Sequence, residues 1–382
     1  MNSIADYIRW LGRFSFAELP VSEVDIFVMC VISYFNLGPA FERGGDVTVA
    51  DCTGAIDENR LKLLITGGDM GNAEIFREAA ASRRFGTLRI TDYEDVLKPE
   101  VPLQFSACTF RDGDERAFIC FRGTDETIAG WKEDFMISFT RTEAQTMAAA
   151  YAERMILADP APRYYIAGHS KGGNLALYAA CMLSGAAWER LERVYILDGP
   201  GLCPEVMDIS VLARVNGKTT RIIPEFDVVG SLFAPRITDT RIIRSSAKGI
   251  LQHSLATWGV HYGAIAAAKE NDKASSALML VLDRWISGID QHGRRLLTDD
   301  IFDTLAAGGA VTLSDIANEG ASGFEAVLAR MFQTSPVTRK IMLDLPARMF
   351  TTLGELLRDR VTPRREEEKE EEKEKETVTI DA

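Results

Sequence analysis

The stretch that most limits the fold is Tyr164-Tyr165-Ile166-Ala167, followed by Gly168-His169-Ser170-Lys171-Gly172-Gly173 and the Ala- and Leu-rich run from Asn174 to Leu183. The apolar tetrapeptide reads as a buried strand and the longer run as a helix, and only small residues let the chain turn so sharply between them. Gly168 to Gly172 is a G-x-S-x-G pattern, which leaves a serine hydroxyl exposed at the end of a sheet. The pentapeptide alone is moderately specific. Its place between strand and helix makes Ser170 a candidate nucleophile in preference to an ordinary turn serine.

The surrounding pattern supports an α/β class. Gln104–Phe110 and Ala117–Phe121 are β-rich runs separated by the turn Arg111–Arg116, so strands are expected to begin near Leu103. Val194–Leu197, Thr220–Ile223 and Arg241–Ile243 read as further strands, and a helix spans Glu143 to Ala158. Such alternation predicts a mostly parallel sheet with helices on both faces. Ahead of it, Ser22–Phe35 has a helical period and an N-cap signal, and Leu61–Arg84 has shorter helical patterns broken by glycines. Beyond Tyr262 helical periods dominate, in Ala274–Ile286, Thr298–Leu305 and Gly323–Met331. The expected organisation is a helical N-terminal segment over 1–100, a core over 101–262, a C-terminal helical lobe over 263–362 and a charged, solvated tail over 363–382.

Composition removes several functions. With 43 Lys and Arg against 56 Asp and Glu, the net charge of −13 offers no basic field for a nucleic acid. The six cysteines contain no C-x-x-C pair and read as buried thiols of a reducing compartment; no H-E-x-x-H occurs, and neither metal nor cofactor is expected. Gly217-Lys218-Thr219 resembles the end of a phosphate-binding loop, but Leu212 stands where its first glycine belongs. The N-terminus lacks the basic start and apolar core of a signal peptide, which predicts a cytoplasmic location. The longest apolar run, Ile26–Phe35, falls short of the ~20 residues that span a bilayer.

A serine needs a base, and the chain has four histidines. His169 is in the turn itself and His292 lies in the helical lobe. His253, ten residues after Ile243, is preferred to His261 because the base is expected soon after the last strand. The carboxylate that orients it should lie between Ser170 and His253. Asp227, in the loop after Ile223, is the favoured acid, with Asp198 in Leu197-Asp198-Gly199-Pro200-Gly201 as competitor. An oxyanion needs donors; the Lys171 backbone N–H and Thr124, in Phe121-Arg122-Gly123-Thr124 at the end of a strand, are the candidates.

Ala117-Phe118-Ile119-Cys120-Phe121-Arg122-Gly123-Thr124, Trp131, Asp134 and Gly-His-Ser-Lys-Gly-Gly-Asn together resemble the fungal-type lipases, and most closely their bacterial relatives, the Mbeg-like group. The likeness is strongest over Gln104–Trp258 and extends to Asp6-Tyr7-Ile8-Arg9-Trp10 and Glu23-Val24-Asp25. It implies an α/β-hydrolase fold, a nucleophile at Ser170, an acid at Asp227, a base at His253 and an oxyanion donor at Thr124. Lys171 stands where those lipases carry an apolar residue; as an exposed cation it would suit an anionic or zwitterionic substrate. The apolar segment Asp125–Arg141 is expected to be either a lid or a helix packed on the sheet. The resulting expectation is a serine hydrolase cleaving acyl esters through an acyl-enzyme, with an acyl ester or lipid as substrate and transient contact with a membrane surface. The alternatives are a non-catalytic lipid- or protein-binding module and an acyltransferase or thioesterase using the same triad.

Overall fold

The computed structural model describes residues 1–42, 44, 46–56, 68–98, 103–124, 132, 136–159, 162–272, 276, 285–286, 288–306, 334–341 and 344. Its centre is an eight-stranded sheet in sequential order: β1 (Val47–Thr48), β2 (Arg89–Lys98), β3 (Leu103–Asp112), β4 (Arg116–Phe121), β5 (Arg163–His169), β6 (Leu191–Leu197), β7 (Thr219–Pro224) and β8 (Asp239–Ile243). β1 to β4 pair antiparallel, whereas β4 through β8 pair parallel.

Strand periodicity sorts the two cores. On β4, Ala117, Ile119 and Phe121 enter one apolar cluster, whereas Phe118 and Cys120 enter the other. The first cluster is completed by helices Glu143–Ala158 and Lys171–Met182. The second is completed by α1 (Ile4–Leu11), α2 (Glu23–Ile32) and α3 (Gly68–Ala81). The helices over 143–158 and 171–182 become α4 and α5; α6 spans Ile209–Asn216 and α7 spans Gln291–Ala306.

Helix starts are written in the sequence. Ser3 with Asp6 and Ser22 with Asp25 form reciprocal capping boxes for α1 and α2, and Thr142 with Gln145 forms one for α4. Asp25 has a second task. Both its oxygens accept from Arg84 (2.7 and 2.6 Å), and neither side chain is exposed. The remaining Arg84 N–H groups donate to the carbonyls of Phe14, Ser15, Leu19 and Pro20, so one guanidinium ties the N-terminal loop to α2.

Two expectations are corrected. Strands do not begin near Leu103: β2 lies within 1–100 and pairs along most of β3. Strand structure also continues past Tyr262, where β9 (Val260–His261) turns into β10 (Ala264–Ile265). Much of Leu61–Arg84 before 68, most of Ala274–Ile286, all of Gly323–Met331 and the tail lie outside the described residues. Among the described residues no helix is long and apolar enough to cross a membrane.

Candidate active site

β5 ends at His169, and Ser170 turns the chain into α5 with φ 58° and ψ −128°. Only a handful of non-glycine residues in the described chain have positive φ, and this one carries the strain of a strand-to-helix elbow. The flanking glycines are required by contact: a Cβ on Gly168 would lie 2.0 Å from the Gly172 carbonyl oxygen, and one on Gly172 would lie 2.1 Å from that of Phe121. Ser170 N–H donates to Leu197 O at 2.9 Å, tying the elbow to the end of β6.

β6 is the next strand of the sheet, and Asp198 follows it directly, at φ 43°. Its Oδ2 accepts from His253 Nδ1 at 2.7 Å, and its Oδ1 accepts from the Gly230 N–H at 2.9 Å. His253 ends a 3₁₀ turn, Gly249–His253, that follows β8. The carboxylate on His253 is therefore Asp198 and not Asp227, which corrects the sequence preference. Asp227 is two strands from β5, on the loop after β7, and its oxygens accept from Ser231 N (3.0 Å), Ser231 Oγ (2.7 Å) and Arg221 Nη2 (3.2 Å).

The two acids nonetheless interact. Gly230 lies against both, a Cβ there falling 2.6 Å from Asp198 Oδ1 and 3.0 Å from Asp227 Oδ1, and the two carboxyls act on one another electrostatically. Burial, and then the charge of Asp198, push the Asp227 carboxyl up to about 7, against the pull of Arg221. Burial also acts to raise Asp198, but the charge and hydrogen bond of His253 outweigh it and hold Asp198 below its ordinary value. Of the two buried acids Asp227 is therefore the one disposed to hold a proton, and the carboxylate that faces His253 is the one disposed to ionise.

His169, set aside from the sequence, is part of the same assembly. Its Nε2 donates to the His253 backbone carbonyl at 2.8 Å, so in the neutral ring Nδ1 is the acceptor, and the Tyr34 hydroxyl donates to it at 2.7 Å. Burial, followed by the charge of His253, holds His169 down to about 3. The two imidazoles lie against one another with ring centroids 4.5 Å apart. Tyr34, just beyond α2, had no sequence signal linking it to this site.

Thr124 is three residues past the end of β4, where Phe121 pairs with Gly168 of β5, so it emerges beside the elbow. Lys171 is the first residue of α5. Its side chain is not the exposed cation expected: it is 1% exposed, and Nζ donates to the Gln104 carbonyl (2.8 Å) and Gln104 Oε1 (3.4 Å). His261 is exposed and packed on the Tyr262 ring, and His292 is exposed on α7. Lys218 donates to the carbonyls of Trp188 and Leu191, a structural use of the Gly-Lys-Thr sequence. Of the segment Asp125–Arg141, positions 125–131 and 133–135 lie outside the described residues, while Ile137 and Phe139 are buried. Among the described residues no group of His, Cys, Asp and Glu is placed to hold a metal ion.

The mostly parallel sheet, its flanking helices and the serine elbow define an α/β-hydrolase-like fold. The chain belongs to the Mbeg1-like family, whose model matches residues 79–303. Solved structures that resemble it include the M37 lipase, at 14% identity over 55% of this chain and 70% of that one, with a TM-score of 0.35. A fungal lipase–inhibitor complex is similar at 18% identity over 45% and 68% of the two chains, with a TM-score of 0.30. None of the curated proteins matches this chain.

Proposed function

We propose that the protein is a serine hydrolase of acyl esters, with Ser170 as nucleophile, His253 as base and Asp198 as the orienting acid. The observation that carries the reading is the 2.7 Å contact between His253 Nδ1 and Asp198 Oδ2, beside a serine held at φ 58° on the adjoining elbow. Asp198 fixes the tautomer that leaves His253 Nε2 free of a proton and stabilises the imidazolium formed later. Ser170 Oγ attacks the acyl carbonyl while its proton passes to His253 Nε2. The negative charge on the carbonyl oxygen is met by the Lys171 N–H and by Thr124. As the tetrahedral species collapses, the acyl–oxygen bond breaks and the leaving alcohol takes the proton. Water then attacks the acyl-serine, gives a proton to His253, and releases the acid as Ser170 regains its hydrogen.

An acyl ester or a lipid is the substrate class in this reading. A fluorophosphonate probe, which requires an activated serine, tests it: the unmodified protein should label and Ser170→Ala should not. Failure of the unmodified protein to label, or equal labelling of Ser170→Ala, refutes the assignment. A variant that folds is expected, because a turn serine fills little core.

A further inference from the structure

We propose that an apolar cavity lined by none of the proposed catalytic residues binds a small amphiphilic carboxylate of about four to six carbons, with Arg294 as its anion receptor. The cavity lies where the segments around Phe139 and Phe233 meet the first turns of α7, and Trp285 and Leu297 complete its wall. Its volume is about 80 Å³, and its lining is almost entirely apolar. That is roughly half of the about 150 Å³ that admits a benzene ring, so three or four carbons fill it and a slightly longer tail reaches its open side.

Arg294 makes this wall unlike an ordinary packing defect. It is 8% exposed and lines the cavity, with its guanidinium carbon 5.4 Å from the Phe233 ring centroid and 6.0 Å from that of Phe139. Of its five N–H donors, Nε–H is the one used among the described residues, on the Ile286 carbonyl at 3.0 Å. Among the described residues no acceptor or ion-pair partner takes Nη1 or Nη2. Glu205, whose carboxylate senses the Arg294 charge, is exposed and hydrogen-bonded with Cys203. A guanidinium that is mostly buried, with the two ends of its fork making no hydrogen bond to the described residues, matches a carboxylate bidentately. Aromatic and aliphatic walls beside that fork select an anion carrying an apolar tail over an inorganic one.

The site does not depend on Ser170 or on hydrolysis, so it can stand or fall separately from the proposed reaction. Calorimetric titration of hexanoate into the full chain, and into Ser170→Ala to remove any turnover, should give saturable one-to-one binding in both. Hexan-1-ol, with the same tail and no charge, should bind at least about tenfold more weakly, the effect of losing one charge-assisted contact. Arg294→Gln should weaken hexanoate by a similar factor and leave hexanol unchanged. Absence of saturable binding, equal affinity for hexanol and hexanoate, or unchanged hexanoate affinity in a folded Arg294→Gln overturns the proposal. Should that variant not fold, the contrast between hexanoate and hexanol on the unmodified protein decides it.

Discussion

Replacing each of the two buried acids by its amide separates their roles. Asp198 Oδ1 accepts from the Gly230 N–H, so in Asp198→Asn the amide oxygen must take that position. The amide NH₂ then faces His253 Nδ1, where the carboxylate Oδ2 stood at 2.7 Å. A donor there forces Nδ1 to accept, which moves the ring proton to Nε2 and leaves no lone pair for the Ser170 proton. The loss also includes the charge that stabilises the imidazolium. Where a triad acid becomes an amide with geometry intact, turnover falls about 10⁴-fold, on the order of 5 kcal/mol. Asp227→Asn has a different outcome. The amide mimics the protonated acid that the structure favours: its oxygen keeps the Ser231 N–H, its NH₂ donates to Ser231 Oγ, and the Arg221 contact is lost. Its turnover should stay within about tenfold of the parent, less than the contribution of one charged hydrogen bond. Steady-state hydrolysis of p-nitrophenyl butyrate, together with the rate of fluorophosphonate labelling, measures both variants. Equal losses for the two, or Asp198→Asn within tenfold of the parent, would refute the pairing argument.

The same Asp227→Asn variant should alter the response of stability to pH. The folded Asp227 carboxyl sits at about 7 against 3.8 in the unfolded chain, so folding favours its protonated form. That contribution is complete below about pH 4 and is lost as pH rises to about 7, on the order of 4 kcal/mol. The melting temperature of the parent relative to Asp227→Asn should therefore fall across this window, and a constant difference would refute the assignment of the proton. Arg84→Met should leave the Asp25 carboxylate buried without its partner and lower unfolding free energy by about 3–5 kcal/mol in a denaturant titration; a loss below about 1 kcal/mol would show that the loop carbonyls and Asp25 find other donors.

The elbow was legible because all its determinants are local: a strand, three close-packed glycines and a helix lie within twenty residues. β2 was not, since Arg-Ile-Thr-Asp-Tyr-Glu-Asp-Val-Leu-Lys is charged and its positions are mostly partly exposed, so it lacks an apolar alternation. The acid was ambiguous for a topological reason. Two successive strands each end near an aspartate, and the choice depends on which strand lies next to β5, a relation no local pattern states. The turn Asp198-Gly199-Pro200-Gly201 was the available signal, because a residue at positive φ followed by glycines can hold a side chain against the elbow. Lys171 was misread because its place in the motif tells nothing of where a four-carbon stem goes; it runs inward to Gln104.

His169 links these parts in a way that depends on its charge. A protonated imidazole could not accept from the Tyr34 hydroxyl, and it would lie 4.5 Å from the ring of His253, which must itself become positive in the proposed reaction. Burial holds His169 down to about 3, so it stays neutral wherever an Asp–His pair is competent, and its Nε2–H remains on the His253 carbonyl. The proposed base is consequently held at both ends, by Asp198 at its ring and by His169 at its backbone. Because the other side of His169 is fixed by Tyr34, just beyond the buried helix α2, the N-terminal segment is part of the frame that aims the histidine. The Asp25–Arg84 pair holds the first turn of that same helix, whose far end leads to Tyr34.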